Sequence, residues 1–279
     1  MIKDILNKKL KGEKITMLTA YDYPLASLVD QAGIDIVLVG DSLANVVLGL
    51  ESTQEVGMLE MLHHTKAVRR AVKNALLVGD MPFGSYQNGV DDALINARRF
   101  IDEAGCDAVK LEWFDQCLDV VDALVKAKIP VMGHVGLTPQ TADRLGGFKV
   151  QGKDAESARR IIENARALEE RACFSLVLEC IPNPIAKIIT EQLKIPTIGI
   201  GAGPHCDGQV LVTHDLLGLF DRFKPKFVKQ YVNASDLILD GIKRFQDEVV
   251  TGKFPDASHS YVMDHKELEN LKMEKQDGK

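Results

Sequence analysis

The 279-residue sequence has little of what marks several protein classes. It contains no run of about 18 apolar residues, so no transmembrane helix is predicted. Acidic residues outnumber basic ones, 40 to 34, and the formal net charge is −6. Proteins that bind nucleic acid usually carry a basic surface, so this charge argues against nucleic-acid binding. The start, Met1-Ile2-Lys3-Asp4, is too acidic and too short in apolar residues for a signal peptide. We therefore expect a cytoplasmic protein that binds neither nucleic acid nor membranes.

Cysteine usage excludes two further kinds of site. The chain has five cysteines, an odd number, and no Cys-x-x-Cys pair, which argues against a disulfide framework and against a zinc knuckle. Free cysteine usually behaves as a small core hydrophobe. The five are therefore expected to be buried thiols, and Cys180 alone lies near the candidate chemistry described below.

What the sequence does have is a series of short apolar runs, each separated from the next by enough residues for one helix. Runs of this kind are typical of buried parallel strands. Eight such strands are predicted: 15–20, 36–39, 76–79, 108–111, 130–133, 174–178, 196–200 and 226–229. Between them lie helix patterns, such as the one that Asp154 caps and that continues through Glu170.

Eight strand–helix units favour an α/β protein with a closed (β/α)₈ TIM barrel in a single domain. An open doubly wound sheet usually has fewer strands and a glycine-rich first turn, whereas the first turn here, Tyr21-Asp22-Tyr23-Pro24, has no glycine. The barrel is assigned to residues 1–254. Residues 255–279 form a polar tail that is predicted to be mostly disordered, with a short helix over 261–275 as the alternative.

Carboxylates stand at the ends of three of the predicted strands. Asp41, Asp80 and Glu112 each end or directly follow an apolar run. Because α/β barrels keep their chemistry at the carboxyl ends of the strands, these residues predict an enzyme. The alternative is that each caps the helix that follows, and the two roles are compatible.

Three more polar residues are expected at the same rim. Glu179 ends the sixth strand, and His134 follows the fifth. Lys110 lies two residues before Glu112 and therefore on the same, inward face of its strand. Its ammonium could neutralise an anionic substrate, or a neutral amine could form a Schiff base, and the first role is favoured because a metal-binding set of carboxylates nearby would make an imine redundant.

Several motifs, in the same order along the chain, resemble those of the ketopantoate hydroxymethyltransferase family. The resemblance covers roughly residues 10–255. It rests on the runs TAYDY at 19–23, VGDSL at 39–43, VKLE at 109–112, GHVGLTPQ at 133–140, GFKVQG at 147–152, LECIP at 178–182 and GIGAG at 199–203.

The resemblance implies a (β/α)₈ transferase of pantothenate and coenzyme A biosynthesis, from the phosphoenolpyruvate mutase/isocitrate lyase-like superfamily. Members move a hydroxymethyl group from 5,10-methylenetetrahydrofolate to 3-methyl-2-oxobutanoate (α-ketoisovalerate), giving 2-dehydropantoate (ketopantoate). They use Mg²⁺ and are commonly homodecamers, so a homo-oligomer is expected. The motifs assign roles to six residues: Asp41, Asp80 and Glu112 as metal ligands, Ser42 and Lys110 as substrate contacts, and Glu179 as the proton acceptor.

These roles agree with the chemistry of the residue types. Mg²⁺ prefers oxygen ligands and keeps several waters, so a few carboxylates leave positions open for a 2-oxo acid, and Asp41 and Asp80 then lie beside the substrate as well. The metal acts as a Lewis acid that stabilises the enolate formed when Glu179 removes the C3 proton. His134 is assigned to the hydroxymethyl end of the product, and Tyr21 to a further pocket contact, against structural roles for both.

Two rival functions remain open at this point. A lyase or mutase of the related barrels would share the metal carboxylates, but the lid motif Lys-Lys-Cys-Gly-His that such enzymes use is absent from the sequence. A non-catalytic protein that binds 2-oxo acids would keep the barrel. Glu179 argues against this second rival, because a binding protein needs no base.

Overall fold

The computed structural model describes residues 1–274 and contains a closed barrel of eight parallel strands. Strand order follows the sequence, and the last strand pairs with the first. The strands are β1 (Ile15–Thr19), β2 (Ile36–Val39), β3 (Leu76–Asp80), β4 (Ala108–Glu112), β5 (Val131–Gly136), β6 (Ser175–Glu179), β7 (Thr197–Ile200) and β8 (Gly208–Leu211). The predicted (β/α)₈ barrel is confirmed.

Helices precede the barrel and follow all but one of its strands. They are α1 (Ile2–Lys11), α2 (Tyr23–Gln31), α3 (Leu43–Val46), α4 (Met58–Ala71), α5 (Val90–Arg98), α6 (Cys117–Lys126), α7 (Ala155–Glu170), α8 (Asn183–Gln192) and α9 (Thr213–Leu217). Short 3₁₀ segments lie at Thr53–Glu55 and Pro139–Leu145, and a π-helical segment, Arg99–Glu103, continues α5. As expected, Asp154 caps α7, accepting from Glu156 N and Ser157 N.

The chain divides into two compact units, Met1–Tyr231 and Val232–Lys279. The first is the barrel, a single domain. The second contains α10 (Ala234–Val250), a 3₁₀ turn (Ala257–His259) and α11 (His265–Glu274). The boundary expected at residue 254 falls inside this second unit. Helix α11 corresponds to the alternative considered for the tail, and residues 275–279 lie outside the described part of the chain.

The eighth strand was predicted in the wrong place. Residues 226–229 are not a strand, and β8 is formed by Gly208–Leu211, which pairs with β1 and β7. A Cβ on Gly208 would lie 2.5 Å from the Ile15 backbone oxygen, so this glycine permits close strand approach and does not make a turn. Only residues 201–207 join β7 to β8, which leaves no room for the helix expected there.

The strands carry two different cores on their two faces. Inward residues such as Ile36, Val78 and Met132 fill the barrel. Outward residues such as Val37 and Val109 pack with the surrounding helices. Because side chains alternate along a strand, the inward face also contains five polar residues near the carboxyl ends: Asp80, Lys110, Glu112, His134 and Glu179. The barrel is therefore apolar at one end and strongly charged at the other.

Cysteines behave largely as expected. All five are free thiols, and Cys106, Cys117, Cys173 and Cys206 are buried, whereas Cys180 is partly exposed. Burial raises the pKa of the Cys180 thiol to about 12, so it is protonated at neutral pH. Across residues 1–274, none of the helices combines the length and apolar character that crossing a bilayer requires.

A buried carboxylate fixes the start of β3, the strand that ends in Asp80. Asp30 on α2 is 6% exposed and accepts hydrogen bonds from the backbone N–H groups of Lys73, Asn74 and Ala75 at 2.9–3.1 Å. The Asn74 side chain donates a fourth, at 3.0 Å. Asp30 thereby holds the loop between α4 and β3 in place.

We expect Asp30→Ala to lower the free energy of unfolding by about 2–3 kcal/mol, because the backbone N–H groups of Lys73, Asn74 and Ala75 lose their shared charged acceptor. Urea denaturation followed by circular dichroism measures the change. Asp122→Ala is the matched control: the Asp122 side chain is 39% exposed, its one ion pair among residues 1–274 is with Lys126, and its loss is worth less than about 0.5 kcal/mol. Equal effects of the two substitutions would contradict this role for Asp30.

The same carboxylate predicts a pH dependence. Although burial raises the pKa of Asp30, the hydrogen bonds from Ala75, Asn74 and Lys73 hold that pKa below its ordinary value. A group with a lower pKa in the folded chain stabilises above its unfolded pKa, about 3.9 for Asp, and the contribution is lost as the pH falls through the folded pKa. The stability difference between the native chain and Asp30→Ala should therefore shrink below about pH 4; a constant difference would contradict this.

Candidate active site

The polar residues predicted from the sequence come together at the carboxyl end of the barrel. Asp41, Asp80, Lys110, Glu112 and His134 are all 5% exposed or less, although charged side chains are seldom buried this deeply. Glu179 lies at the same end and is more open, with its side chain 16% exposed. The structure thus concentrates four carboxylates, one ammonium and one imidazole in the barrel mouth.

An ion pair between Lys110 and Asp80 lies at the centre of this group. The Lys110 Nζ is 2.7 Å from Asp80 Oδ1 and 2.9 Å from Asp80 Oδ2. Burial lowers the pKa of Lys110, but the carboxylates of Asp80, Glu112 and Asp41 outweigh it and raise that pKa above its ordinary value. Lys110 is therefore a charged ammonium at neutral pH.

Asp41 and Glu112 are connected through a residue that the sequence analysis did not assign. The Gln140 side chain donates to Asp41 Oδ2 at 2.9 Å, and its backbone N–H donates to Glu112 Oε2 at 3.1 Å. Burial and the charge of Asp80 raise the pKa of Asp41 to about 7. Burial also raises the pKa of Glu112 well above its ordinary value, despite the opposing charge of Lys110. Both carboxylates lack full compensation for their negative charge.

Gln140 is itself held by a second residue that sequence reasoning missed. The Tyr86 hydroxyl donates to Gln140 Oε1 at 2.6 Å and accepts from the Glu112 backbone N–H at 3.2 Å. Gln140 is completely buried and also donates to the Met81 oxygen at 2.9 Å. The one available signal was that Gln140 ends the GHVGLTPQ motif.

His134 lies between Glu179 and Glu112. Its Nε2 is 3.3 Å from Glu179 Oε2, and its Nδ1 is 3.6 Å from Glu112 Oε1. Neither nitrogen makes a hydrogen bond in the structure, although both are buried. Burial and the charge of Lys110 lower the pKa of His134, so the ring is neutral at pH 7. Buried polar atoms without partners point to a ligand that supplies them.

Tyr21 and Ser42 form the remaining side of the mouth. Their hydroxyl oxygens are 2.8 Å apart, and Ser42 directly follows Asp41. Tyr21 is 1% exposed, and its ring contacts that of His214 with centroids 5.4 Å apart. Every residue predicted for the site therefore lies at this end of the barrel.

The donor set suits Mg²⁺ in its chemistry. Three buried carboxylates face one ammonium, which leaves an excess of negative charge, and oxygen donors are those Mg²⁺ prefers. Within residues 1–274, no three His, Cys, Asp or Glu side chains converge closely enough to hold a metal ion by themselves. Mg²⁺ usually takes only one or two carboxylates and completes its shell with water and substrate, so the residues fit such an ion.

Comparison with known proteins identifies the family. The family model for ketopantoate hydroxymethyltransferase matches residues 1–257. The 3-methyl-2-oxobutanoate hydroxymethyltransferase of Syntrophomonas wolfei is 54% identical over 265 residues, covering 95% of this chain and 96% of its own. The enzyme of the same name from Moorella thermoacetica is 58% identical over 253 residues, covering 91% and 94%.

Solved structures with the same fold are more distant in sequence. A phosphoenolpyruvate phosphomutase from Streptomyces platensis superposes with a TM-score of 0.61 at 12% identity, covering 99% of this chain and 96% of that one. A 2,3-dimethylmalate lyase of the PEP mutase/isocitrate lyase superfamily gives 0.59 at 13% identity, covering 99% and 98%. These confirm the barrel, whereas the relatives above favour a transferase over a lyase or mutase. The chain belongs to the ketopantoate hydroxymethyltransferase family of transferases.

Proposed function

We propose that the chain transfers a hydroxymethyl group from 5,10-methylenetetrahydrofolate to 3-methyl-2-oxobutanoate, giving 2-dehydropantoate, with Mg²⁺ as cofactor. The observation that carries the mechanism is the position of Glu179. It shares the inward rim with the Asp80–Lys110 pair and is the more open carboxylate of the mouth, with Oε2 3.3 Å from His134. A carboxylate suited to act as a base and a cationic group thus lie together at the carboxyl end of the barrel.

The 2-oxo acid binds among Ser42, Lys110 and the carboxylates. Asp41, Asp80 and Glu112 would hold Mg²⁺, some of them through water, because both oxygens of Asp80 already accept from Lys110. When bound, Mg²⁺ supplies Lewis-acid polarisation of the 2-oxo group. Lys110 keeps its charge and places it where negative charge develops, and a preorganised charge of this kind is an effective catalytic device in a buried site.

Glu179 accepts the C3 proton of the 2-oxo acid. The C3–H bond breaks, its electron pair moves into a C2–C3 double bond, and negative charge appears on the 2-oxo oxygen. General base catalysis of this type contributes roughly 10²–10⁴-fold to a rate. Glu179 fits the task because its carboxylate reaches the inward face and is not committed to an ion pair with a Lys or Arg among the described residues.

C3 then uses the electron pair of the C2–C3 double bond to form a bond to the transferred carbon, and the bonds from that carbon to the folate nitrogens N5 and N10 break. Because this carbon carries no oxygen, water supplies the hydroxyl group. The remaining proton of the water and the proton taken up by Glu179 go to N5 and N10, and tetrahydrofolate leaves. The neutral His134 ring, with two buried nitrogens that lack partners, is assigned to the new hydroxyl group. The Tyr21 and Ser42 hydroxyls, which contact each other, are assigned to the opposite side of the substrate.

Two further proposals rest on the resemblance alone. We propose that the enzyme acts in the cytoplasm, within pantothenate biosynthesis, and that it works as a homo-oligomer, with a decamer as the expected form. Light scattering of the full chain after gel filtration measures the oligomer.

Glu179→Gln should abolish exchange of the C3 proton of 3-methyl-2-oxobutanoate in deuterated buffer, with a loss of about 10²-fold or more, because the amide cannot accept the proton. Proton NMR follows the exchange in the presence of Mg²⁺. Glu170→Gln, on the exposed face of α7, is the matched control and should exchange at the native rate. Native-rate exchange by Glu179→Gln would remove Glu179 as the base.

Asp41→Asn should stabilise the metal-free protein and weaken its binding of Mg²⁺. In EDTA it should raise the free energy of unfolding by about 1 kcal/mol, because one of several mutually repelling buried carboxylates is neutralised. Mg²⁺ should raise the melting temperature of the native protein but not of the variant. The idea fails if Asp41→Asn binds Mg²⁺ as tightly as the native protein in calorimetric titration.

Borohydride tests the charged role of Lys110. Since Lys110 is held as an ammonium by Asp80, reduction with sodium borohydride in the presence of 3-methyl-2-oxobutanoate should leave the mass of the protein unchanged. A covalent adduct mapped to Lys110 by peptide mass spectrometry would establish the Schiff-base alternative instead.

A further inference from the structure

A cavity of about 350 Å³ lies beside the candidate active site, at the carboxyl ends of β4 and β5 and against α7. Its walls include the side chains of Trp113, Phe114, Thr138, Ile161 and Asn164, and Arg160 lies at its edge. The volume is within the range of small-molecule sites, roughly 300–1,000 Å³. None of the roles assigned so far uses this cavity.

The cavity shares its walls with the segments that carry the reacting groups. Trp113 directly follows Glu112, and its backbone N–H donates to the His134 oxygen at 2.9 Å. Gly136, also in the wall, is opposite Glu179 in the β5–β6 register. A Cβ on Gly136 would lie 2.3 Å from the Glu179 backbone oxygen, so the two segments touch. A ligand in this cavity therefore lies against the backbone segments that carry Glu112 and Glu179.

The lining suits a flat heteroaromatic ring with polar edges. Trp113 and Phe114 offer aromatic faces, while Thr138 and the carboxylate of Asp115 offer hydrogen-bonding groups. The Trp113 ring is fixed when the Asn164 amide is oriented to accept from Trp113 Nε1 and to donate to the Arg160 oxygen, both at 3.2 Å. A ring held in this way is preorganised for stacking.

The cavity also has a cation at its edge. The Arg160 side chain is 63% exposed, and among the described residues its ion pair is with the still more exposed Glu156, one helical turn away. Exposed pairs of this kind hold weakly, so the guanidinium is available to an incoming carboxylate. Aromatic walls inside and a guanidinium outside match a ligand with a bicyclic ring at one end and carboxylates at the other.

We propose that this cavity binds the one-carbon donor, with the reduced pterin between Trp113 and the Gly136 segment and the glutamate carboxylates at Arg160. The inference rests on the proposed function for the identity of the donor. It adds a second subsite outside the barrel mouth, so that the 2-oxo acid and the folate approach Glu179 from different sides.

Trp113 is the one tryptophan of the chain, so its fluorescence reports directly on the cavity. Titration of the native protein with 5-formyltetrahydrofolate, a stable reduced folate, should quench this emission saturably. Free N-acetyltryptophanamide, the control for light absorption by the folate, should show only a linear, unsaturable loss. Transfer of the hydroxymethyl group by a protein whose emission shows no saturable quenching would overturn the proposal.

Arg160→Ala should raise KM for 5,10-methylenetetrahydrofolate about tenfold, as loss of a charge-assisted contact implies. Mg²⁺-dependent deuterium exchange of the 2-oxo acid should be unchanged. Arg159→Ala is the matched control, because Arg159 is exposed on the same helix but does not line the cavity. With 5-formyltetrahydropteroate, which lacks the glutamate, the native protein and Arg160→Ala should bind equally.

These experiments distinguish failure of the folate-site proposal from failure of the proposed function. If Arg160→Ala exchanges the C3 proton and transfers the hydroxymethyl group with an unchanged KM for 5,10-methylenetetrahydrofolate, the proposed folate orientation is rejected and the transferase mechanism is unaffected. Saturable quenching without any exchange of the C3 proton would support the cavity as a folate site while rejecting Glu179-dependent enolisation as the reaction. Equal loss of exchange and transfer in Arg160→Ala would show a structural role and overturn the proposal.

Discussion

The structure of the site depends on a buried imbalance of charge. Lys110 neutralises one carboxylate equivalent in the barrel mouth, yet Asp41, Asp80 and Glu112 are all almost completely buried. Taking a carboxylate out of water is costly unless it is paired, and the raised pKa values of Asp41 and Glu112 express that cost. A cation that enters with the substrate would remove it. The folded chain thus holds buried carboxylates whose mutual repulsion a bound cation would relieve.

Rigid parts of the fold maintain that arrangement. Strand parity places Asp80, Lys110 and Glu179 on the inward face, and the hydrogen bonds of Gln140 and Tyr86 hold the remaining carboxylates in register with them. Gln140 donates to Asp41 and Glu112, and Tyr86 holds both Gln140 and the Glu112 backbone N–H, so the precision of the site comes from backbone geometry and from these two side chains. A site built on strands in this way needs no large movement to bring its reacting groups together.

Much of this could be predicted from the sequence, for identifiable reasons. Strands β1–β7 are continuous apolar runs, and carboxylates at the ends of such runs reveal the functional rim. Strand β8 contains only two apolar residues, next to Gly208 and Gln209, so its pattern is no stronger than that of the loop containing Phe227 and Val228. Gln140 and Tyr86 were missed because their importance lies in contacts between residues 26 to 99 positions apart, which no local pattern records. The cavity beside Trp113 likewise exists only once β4, β5 and α7 are assembled.

The central claim is that the acidic mouth binds a divalent cation and a 2-oxo acid together, with C3 facing Glu179. A crystal structure of the protein soaked with Mg²⁺ and 3-methyl-2-oxobutanoate tests it most directly. We expect one ion held among the Asp41, Asp80 and Glu112 carboxylates, beside the bound 2-oxo acid, with the substrate C3 within about 3.5 Å of a Glu179 oxygen. A 2-oxo acid bound with its isopropyl group directed away from Glu179, or an ion bound away from the Asp41, Asp80 and Glu112 carboxylates, would contradict the account.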